Sequence, residues 1–322
     1  MTIHDALSPI AQSANGIPSD AGGKREALTP DAQRILPNAE KLARFKQELT
    51  HHAALDSWIR IDGSQAIGVL EQGRFESRFA PLARVLVSEG GQRAESSVTN
   101  IPAEQMHTDT RINDVNTAAI RGTPGTTHER IGWRANLLAY DRTAILVSSA
   151  AMFASIRQST LLISLDRMTR AMHSINFFSS QAMGLLFLPV HEGLLLNVRH
   201  DHGQYFAALL LSLRINPARV VIEIPGVFAA QTALLSQLVA SYHRYGFKVA
   251  VNLPEGFNFA ALPLSSKPEF LLTDGDLDQQ AAEGAAQSAA ESAARTAGQS
   301  ALLSMAKFTR HYGATLVARA TP

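Results

Sequence analysis

The chain has 322 residues, of which 46% are hydrophobic and 18% are charged, and its formal net charge at pH 7 is +1. This length and composition suffice for one large domain, or for one domain with a tail. The near-zero charge indicates neither a nucleic-acid partner nor a membrane surface. Because the sequence contains no cysteine, a disulfide framework, a thiolate metal site and a cysteine nucleophile are excluded.

The first residues lack the basic-then-apolar profile of a secretory signal. The longest apolar runs, at 182–188 and 206–213, are too short to cross a bilayer. We therefore expect a cytoplasmic protein without membrane insertion. Residues 1–28 are rich in Ser, Ala, Gly, Pro and Asp, which predicts a disordered tail.

Residues 29–73 are predicted to form an N-terminal helix and two short strands. Thr29 and Pro30 provide a cap and a first-turn proline for a helix that reaches His51. The two strands lie between Trp58 and Leu70, on either side of a turn at Asp62-Gly63. A further strand is predicted from Phe75 to Val87, and the polar stretch at about 89–129 is predicted to be a flexible insertion.

From Ile131 onwards strands and helices alternate, which favours an α/β fold with a parallel sheet. Leu194–Arg199 and Val220–Pro225 are short apolar runs, each with one polar residue near its end, and a helix is predicted between them. Such a βαβ unit would place Asn197 and Glu223 at the carboxyl ends of neighbouring parallel strands. In a (β/α) barrel, the functional residues lie at those ends.

With these elements in place, residues 74–322 resemble the EAL domain, a family that hydrolyses the bacterial messenger cyclic-di-GMP. Asn197 matches the metal-binding Asn of the Asn-hydrophobic-Ser-Pro motif, and Glu223 matches the first Glu of Glu-Ile-Thr-Glu. Leu165-Asp-Arg167 matches the Leu-Asp-Arg that opens a family helix. The resemblance implies an EAL-type (β/α) barrel.

The chain stops at Pro322, before the family's last strand and its Gln-Gly motif. The resemblance therefore predicts a barrel that lacks this strand, with a gap beside Thr315–Ala320. The strand-like region Trp58–Leu70, which has no family counterpart, or a partner subunit would fill or cover that gap.

Most of the residues that the family uses to hold metal and substrate are replaced, which makes the predicted barrel a degenerate one. The replacements are Arg134 for the signature Glu, Asn252 and Leu253 for paired aspartates, Leu272 for a Lys, Arg319 for a Glu, and Ala80 and Leu138 for a Gln and an Arg that bind substrate, whereas Asp274 survives.

The charge at these positions decides the predicted chemistry. Hard divalent cations need oxygen ligands, chiefly carboxylates. Here Glu223 is accompanied by Arg134 and Arg319, which repel a dication, so we predict no metal, no cofactor and no catalysis. We expect Glu223 to form an ion pair with Arg134 or Arg319, because a buried carboxylate needs a compensating charge. The alternative is that the two arginines form an anion site.

The sequence thus predicts an inactive EAL-like regulatory protein that binds another protein, in or derived from cyclic-di-GMP signalling. The first alternative is a receptor that binds cyclic-di-GMP, weakly and without hydrolysis, and the second is an active phosphodiesterase. No nucleic-acid partner is expected, and a homodimer is left open. Arg167, Arg170 and His173 are predicted to form one polar face of a helix.

Overall fold

A computed structural model describes residues 37–71, 73–87, 120–121, 126–198, 201–253, 267–273, 308–309 and 312–319. The predicted disordered tail, most of the predicted insertion and Asp274 lie outside these residues. Eleven strands and seven α-helices are formed by the described residues. They are β1 (Ile59–Ile61), β2 (Ala66–Leu70), β3 (Gly73–Val87), β4 (Ile120–Arg121), β5 (Thr126–Asp141), β6 (Leu146–Val147), β7 (Leu185–Pro189), β8 (Val220–Ile224), β9 (Lys248–Leu253), β10 (Phe270–Thr273) and β11 (Thr315–Arg319), with α1 (Ala39–Leu49), α2 (Ala53–Asp56), α3 (Ser149–Ser155), α4 (Ser159–Ser179), α5 (Glu192–Asn197), α6 (Gln204–Ser212) and α7 (Thr232–Arg244).

Seven of the strands form a closed barrel in the order β3, β11, β10, β9, β8, β7, β5. Within the barrel, the strands β5, β7, β8, β9, β10 and β11 each run parallel to the next. Only β3 runs antiparallel, pairing with β11 on one side and with β5 on the other. The α/β barrel predicted from the sequence is therefore confirmed.

The expected gap beside the last strand is not present. Val317–Arg319 of β11 pair with Leu82–Arg84 of β3, and this contact closes the barrel. The strands β1 and β2 do not fill a gap there, because β2 pairs with Gly73–Phe75 at the opposite end of β3. Strands β1 and β2 instead extend the sheet beyond the barrel.

The strand predicted at Leu194–Val198 is wrong, because this segment forms helix α5. The strand that precedes β8 in the chain and pairs with it is β7, and Pro189 at the end of β7 lies in register with Glu223. His191 precedes α5 as its N-cap, and its Nδ1 accepts a hydrogen bond of 3.0 Å from the Gly193 N–H. This cap satisfies one of the free N–H groups at the helix start, which favours a helix in the apolar run that follows.

Two apolar clusters stabilise the barrel. The larger one lies between the strands and the surrounding helices, and includes Phe75 and Phe79 of β3 and Leu186 of β7. The smaller one fills the barrel interior with Leu82, Phe187, Val221, Ala250, Phe270, Leu272 and Val317. The alternation of side chains along each strand sends successive residues to these two clusters. The interior is therefore packed rather than open.

Strand pairing is present at the end of the stretch at about 89–129. Residues 126–129 are the beginning of β5, where they pair with β3, and Ile120–Arg121 pair with the same stretch of β5. The long β3–β5 ladder thus continues past the barrel at both ends. Among the described helices, none is both long and apolar enough to cross a membrane.

Candidate functional site at the barrel mouth

The carboxyl end of β8 carries Glu223, the acidic side chain for which the sequence predicted an ion pair. Every residue of β8 is buried, and Glu223 is only 3% exposed. Val221 lies in the interior cluster, so alternation directs Glu223, two residues further on, into the barrel mouth. A carboxylate in this position loses most of its hydration and requires a compensating partner.

Arg134 of β5 is that partner. Its Nε donates a hydrogen bond of 2.8 Å to Glu223 Oε2, and its Nη2 donates a second one to Oε1. The Arg134 side chain is 14% exposed, so the pair is largely shielded from water. The two parallel hydrogen bonds are the geometry in which guanidinium and carboxylate bind most strongly. Of the two partners that the sequence predicted as alternatives for Glu223, Arg134 or Arg319, Arg134 forms this ion pair.

Asn197 does not join this pair. It is exposed on α5, and its Nδ2 donates a hydrogen bond of 2.6 Å to the Gly193 carbonyl oxygen. The position beside Glu223 on the neighbouring strand belongs to Pro189. Proline offers no side-chain oxygen, so β7 contributes no side-chain ligand at this point. The prediction that Asn197 and Glu223 end adjacent strands is thus wrong.

Other predicted positions that the structure describes lie in β9, β10 and β11. Asn252 is half-buried on β9, two residues after Ala250 of the interior cluster, and lies in register with Leu272. Leu253 is buried in the outer cluster, away from the interior. The backbone of Arg319 ends β11 opposite Leu82, and Asp274 lies outside the described residues.

Two further positions at the mouth carry apolar side chains. Ala80 of β3 is directly opposite Arg134 in the β3–β5 ladder, and it is buried. Leu138 of β5 is also buried. Neither side chain can donate a hydrogen bond to a phosphate or a base. Within the part of the chain that the structure describes, no group of three or more His, Asp or Glu side chains is arranged to hold a metal ion.

A second buried ion pair, not predicted from the sequence, lies within α4. Arg170 Nε donates to Asp166 Oδ2 at 2.8 Å within α4, and both side chains are 2% exposed. The other oxygen, Asp166 Oδ1, accepts a hydrogen bond of 2.8 Å from the His191 backbone N–H. Asp166 thereby ties α4 to the loop that follows β7. The i, i+4 spacing of Asp and Arg was the available signal.

The prediction of one polar helix face is also corrected here. Arg170 and His173 are buried rather than solvated. His173 Nδ1 lies 2.8 Å from the Ser77 hydroxyl, which also accepts a hydrogen bond of 2.9 Å from Asn176 Nδ2. Burial lowers the pKa of His173 to about 3, so the ring is neutral in the folded protein.

No family model matches the chain. No curated protein matches it either. Among the solved structures that the chain resembles are EAL domains. The FimX EAL domain from Pseudomonas aeruginosa, bound to c-di-GMP, is 13% identical with a TM-score of 0.43, covering 86% of this chain and 93% of that one. The EAL enzyme Bd1971 in its cGMP-bound form is 9% identical with a TM-score of 0.47, covering 85% of this chain and 59% of that one.

The BlrP1 protein of Klebsiella pneumoniae, in a complex with manganese and cy-diGMP, is 16% identical with a TM-score of 0.43. That match covers 58% of this chain and 44% of BlrP1. The chain therefore spans less than half the length of this protein.

Proposed function

We propose that the chain is a catalytically inactive EAL-like regulatory protein that acts by binding another protein, in or derived from cyclic-di-GMP signalling. The observation that carries the proposal is the bidentate Arg134–Glu223 pair in the barrel mouth. Metal-assisted phosphodiester hydrolysis needs cations that bind the phosphate and lower the pKa of a water molecule. Glu223 is here neutralised by a guanidinium, which occupies both carboxylate oxygens.

The neighbouring positions support the same conclusion. Hard cations bind several oxygen ligands at 2.0–2.6 Å, and carboxylates are the principal ones. Pro189 supplies no side-chain ligand beside Glu223, and Leu253 is directed to the outer cluster. A cation entering this mouth would have to displace Arg134 from Glu223, and it would gain few ligands in return. A regulatory role through a protein partner requires no metal and is compatible with this chemistry.

The direct test is a hydrolysis assay on the purified full chain with cyclic-di-GMP and either magnesium or manganese at millimolar concentration. We expect no turnover above the no-protein blank. A matched variant, Arg134→Glu combined with Asn252→Asp, adds two carboxylates at the mouth. It shows whether negative charge at these two positions is sufficient for hydrolysis. Because Pro189 and Leu253 remain, we expect no hydrolysis from this variant either. Metal-dependent turnover by the unaltered chain would overturn the proposal.

A receptor that binds cyclic-di-GMP without hydrolysis is the alternative from the sequence. The structure offers it little support, because Arg134 is committed to Glu223, and Ala80 and Leu138 cannot hydrogen-bond a nucleotide through their side chains. Equilibrium titration with the nucleotide separates this alternative from the regulator.

A further inference from the structure

At the amino ends of the barrel strands, opposite the Arg134–Glu223 pair, one part of the surface combines aromatic rings, arginines and an exposed methionine. We define the basal patch as Arg130, Trp133, Phe178, Met183 and Arg219. Met183 is 66% exposed, although it is a large apolar side chain. It lies in the turn between α4 and β7, next to Gly184, whose φ is +95°.

The basal patch is held in a fixed arrangement by contacts among its members. Trp133 Nε1 donates a hydrogen bond of 3.2 Å to the Met183 carbonyl oxygen, and Arg219 Nη2 donates one of 3.2 Å to the Gly184 carbonyl oxygen. The Arg130 guanidinium lies 5.4 Å from the centre of the Trp133 ring. Arg219 lies 4.9 Å from the centre of the Phe178 ring in the same way. Both arginines are therefore positioned by aromatic faces.

Neither arginine forms an ion pair with any carboxylate of the described residues. The carboxylate of Glu129, adjacent to Arg130 along β5, is paired with Arg84 instead. The basal patch thus presents two positive charges around an exposed apolar side chain. Trp and Arg dominate the binding energy of protein interfaces, and Met is enriched in them. Because the side chains are ordered before binding, a partner is spared part of the entropy cost of association.

We infer that the basal patch binds an acidic segment of a partner protein, with one apolar side chain of that segment packed against Met183 and Trp133. The negative charges of the segment complement Arg130 and Arg219, which distinguishes it from a second copy of this chain, whose own basal patch carries the same positive charges. This inference rests on the proposed function and deepens it, by naming the surface and the chemistry of the partner.

The test uses the full chain and fluorescent peptides in which Asp and Glu residues flank a single Leu, Phe or Trp. Versions with Lys in place of every acidic residue serve as the peptide control. We expect the acidic peptides to bind and the Lys versions not to bind. The double variant Arg130→Glu with Arg219→Glu should weaken acidic-peptide binding by about tenfold or more. Met183→Asp, an exposed change, should weaken it as well.

The matched control is Arg60→Glu with Arg142→Glu, which reverses two exposed arginines outside the basal patch and should leave the binding unchanged. Equal binding of acidic and Lys peptides, or equal loss in the control variant, would overturn the inference. So would a concentration-dependent dimer in sedimentation that Met183→Asp abolishes, because a second copy would then occupy the basal patch. None of these binding measurements uses cyclic-di-GMP. Hydrolysis of the nucleotide by the chain would overturn the proposed function without changing the peptide result, so the two failures can be told apart.

Discussion

Removing the positive charge from the barrel mouth should destabilise the protein strongly. In Arg134→Met, the Glu223 carboxylate keeps its burial but loses both hydrogen bonds from the guanidinium. Breaking a buried ion pair by deleting one partner costs about 3–5 kcal/mol. Glu223 is almost fully buried, so this full range applies to it. Glu223→Gln should cost less, about 1–2 kcal/mol, because Arg134 is 14% exposed and can still donate to the amide oxygen or to water.

Urea unfolding of the two single variants and of the double variant Arg134→Met/Glu223→Met measures these costs. Replacing both charges by apolar side chains of similar length should bring stability back to within about 1 kcal/mol of the unaltered protein. Arg84→Met, at the half-exposed Arg84–Glu129 pair, is the matched control and should cost no more than about 1 kcal/mol. If Arg134→Met were as mild as this control, or if the double variant were as unstable as Arg134→Met, the reasoning about a buried, compensated carboxylate would be refuted.

Three further predictions concern the buried ionisable side chains. His173 has a pKa of about 3 in the folded protein against an ordinary value of 6.5, so between these two pH values the unfolded chain binds one more proton than the folded chain. The contribution of His173 to the free energy of unfolding is therefore complete above pH 6.5 and should decrease by about 2 kcal/mol from pH 7 to pH 5. In urea unfolding at each pH, His173→Asn should make this pH dependence weaker. Arg134→Glu places a second carboxylate beside Glu223, and millimolar manganese should raise the melting temperature of this variant but not that of the unaltered chain; an equal rise in both would contradict a mouth closed to metal. Asp166→Ala leaves Arg170 buried without its carboxylate and frees the His191 N–H, so a loss of about 3–5 kcal/mol is expected in thermal or urea unfolding, whereas a change below about 1 kcal/mol would show that the pair is not essential.

The fold was largely predictable because most barrel strands are continuous apolar runs. The apolar run Val220–Pro225 forms β8 as predicted, since a strand that is buried on both faces leaves a clear signal. The run after His191 gave the same signal and yet is helical. A short apolar run does not by itself distinguish a strand from a buried helix, and the hydrogen bond that His191 accepts from the Gly193 N–H is one contact that favours the helix here.

The candidate site was predictable where charge alone determines the partner. A glutamate buried at a strand end requires a positive charge, and Arg134 was one of two choices. The residue beside Glu223 on the neighbouring strand was harder to predict, because the register depends on which apolar run becomes the strand. Asn197 was therefore placed where Pro189 lies. The burial of Arg170 and His173 was also missed. Asp166 lies one helical turn from Arg170 within α4, but the burial of this pair, and the contact between His173 and Ser77, form only when α4 packs on the sheet.

Calorimetric titration of the full, unaltered chain with cyclic-di-GMP, in the presence and in the absence of manganese, tests the central claim most directly. The Arg134–Glu223 pair predicts no heat from manganese at millimolar concentration and no tight binding of the nucleotide in either condition. Submicromolar binding of cyclic-di-GMP without breakdown would contradict the account in favour of a receptor, and manganese-dependent conversion of the nucleotide during the titration would contradict it in favour of an enzyme.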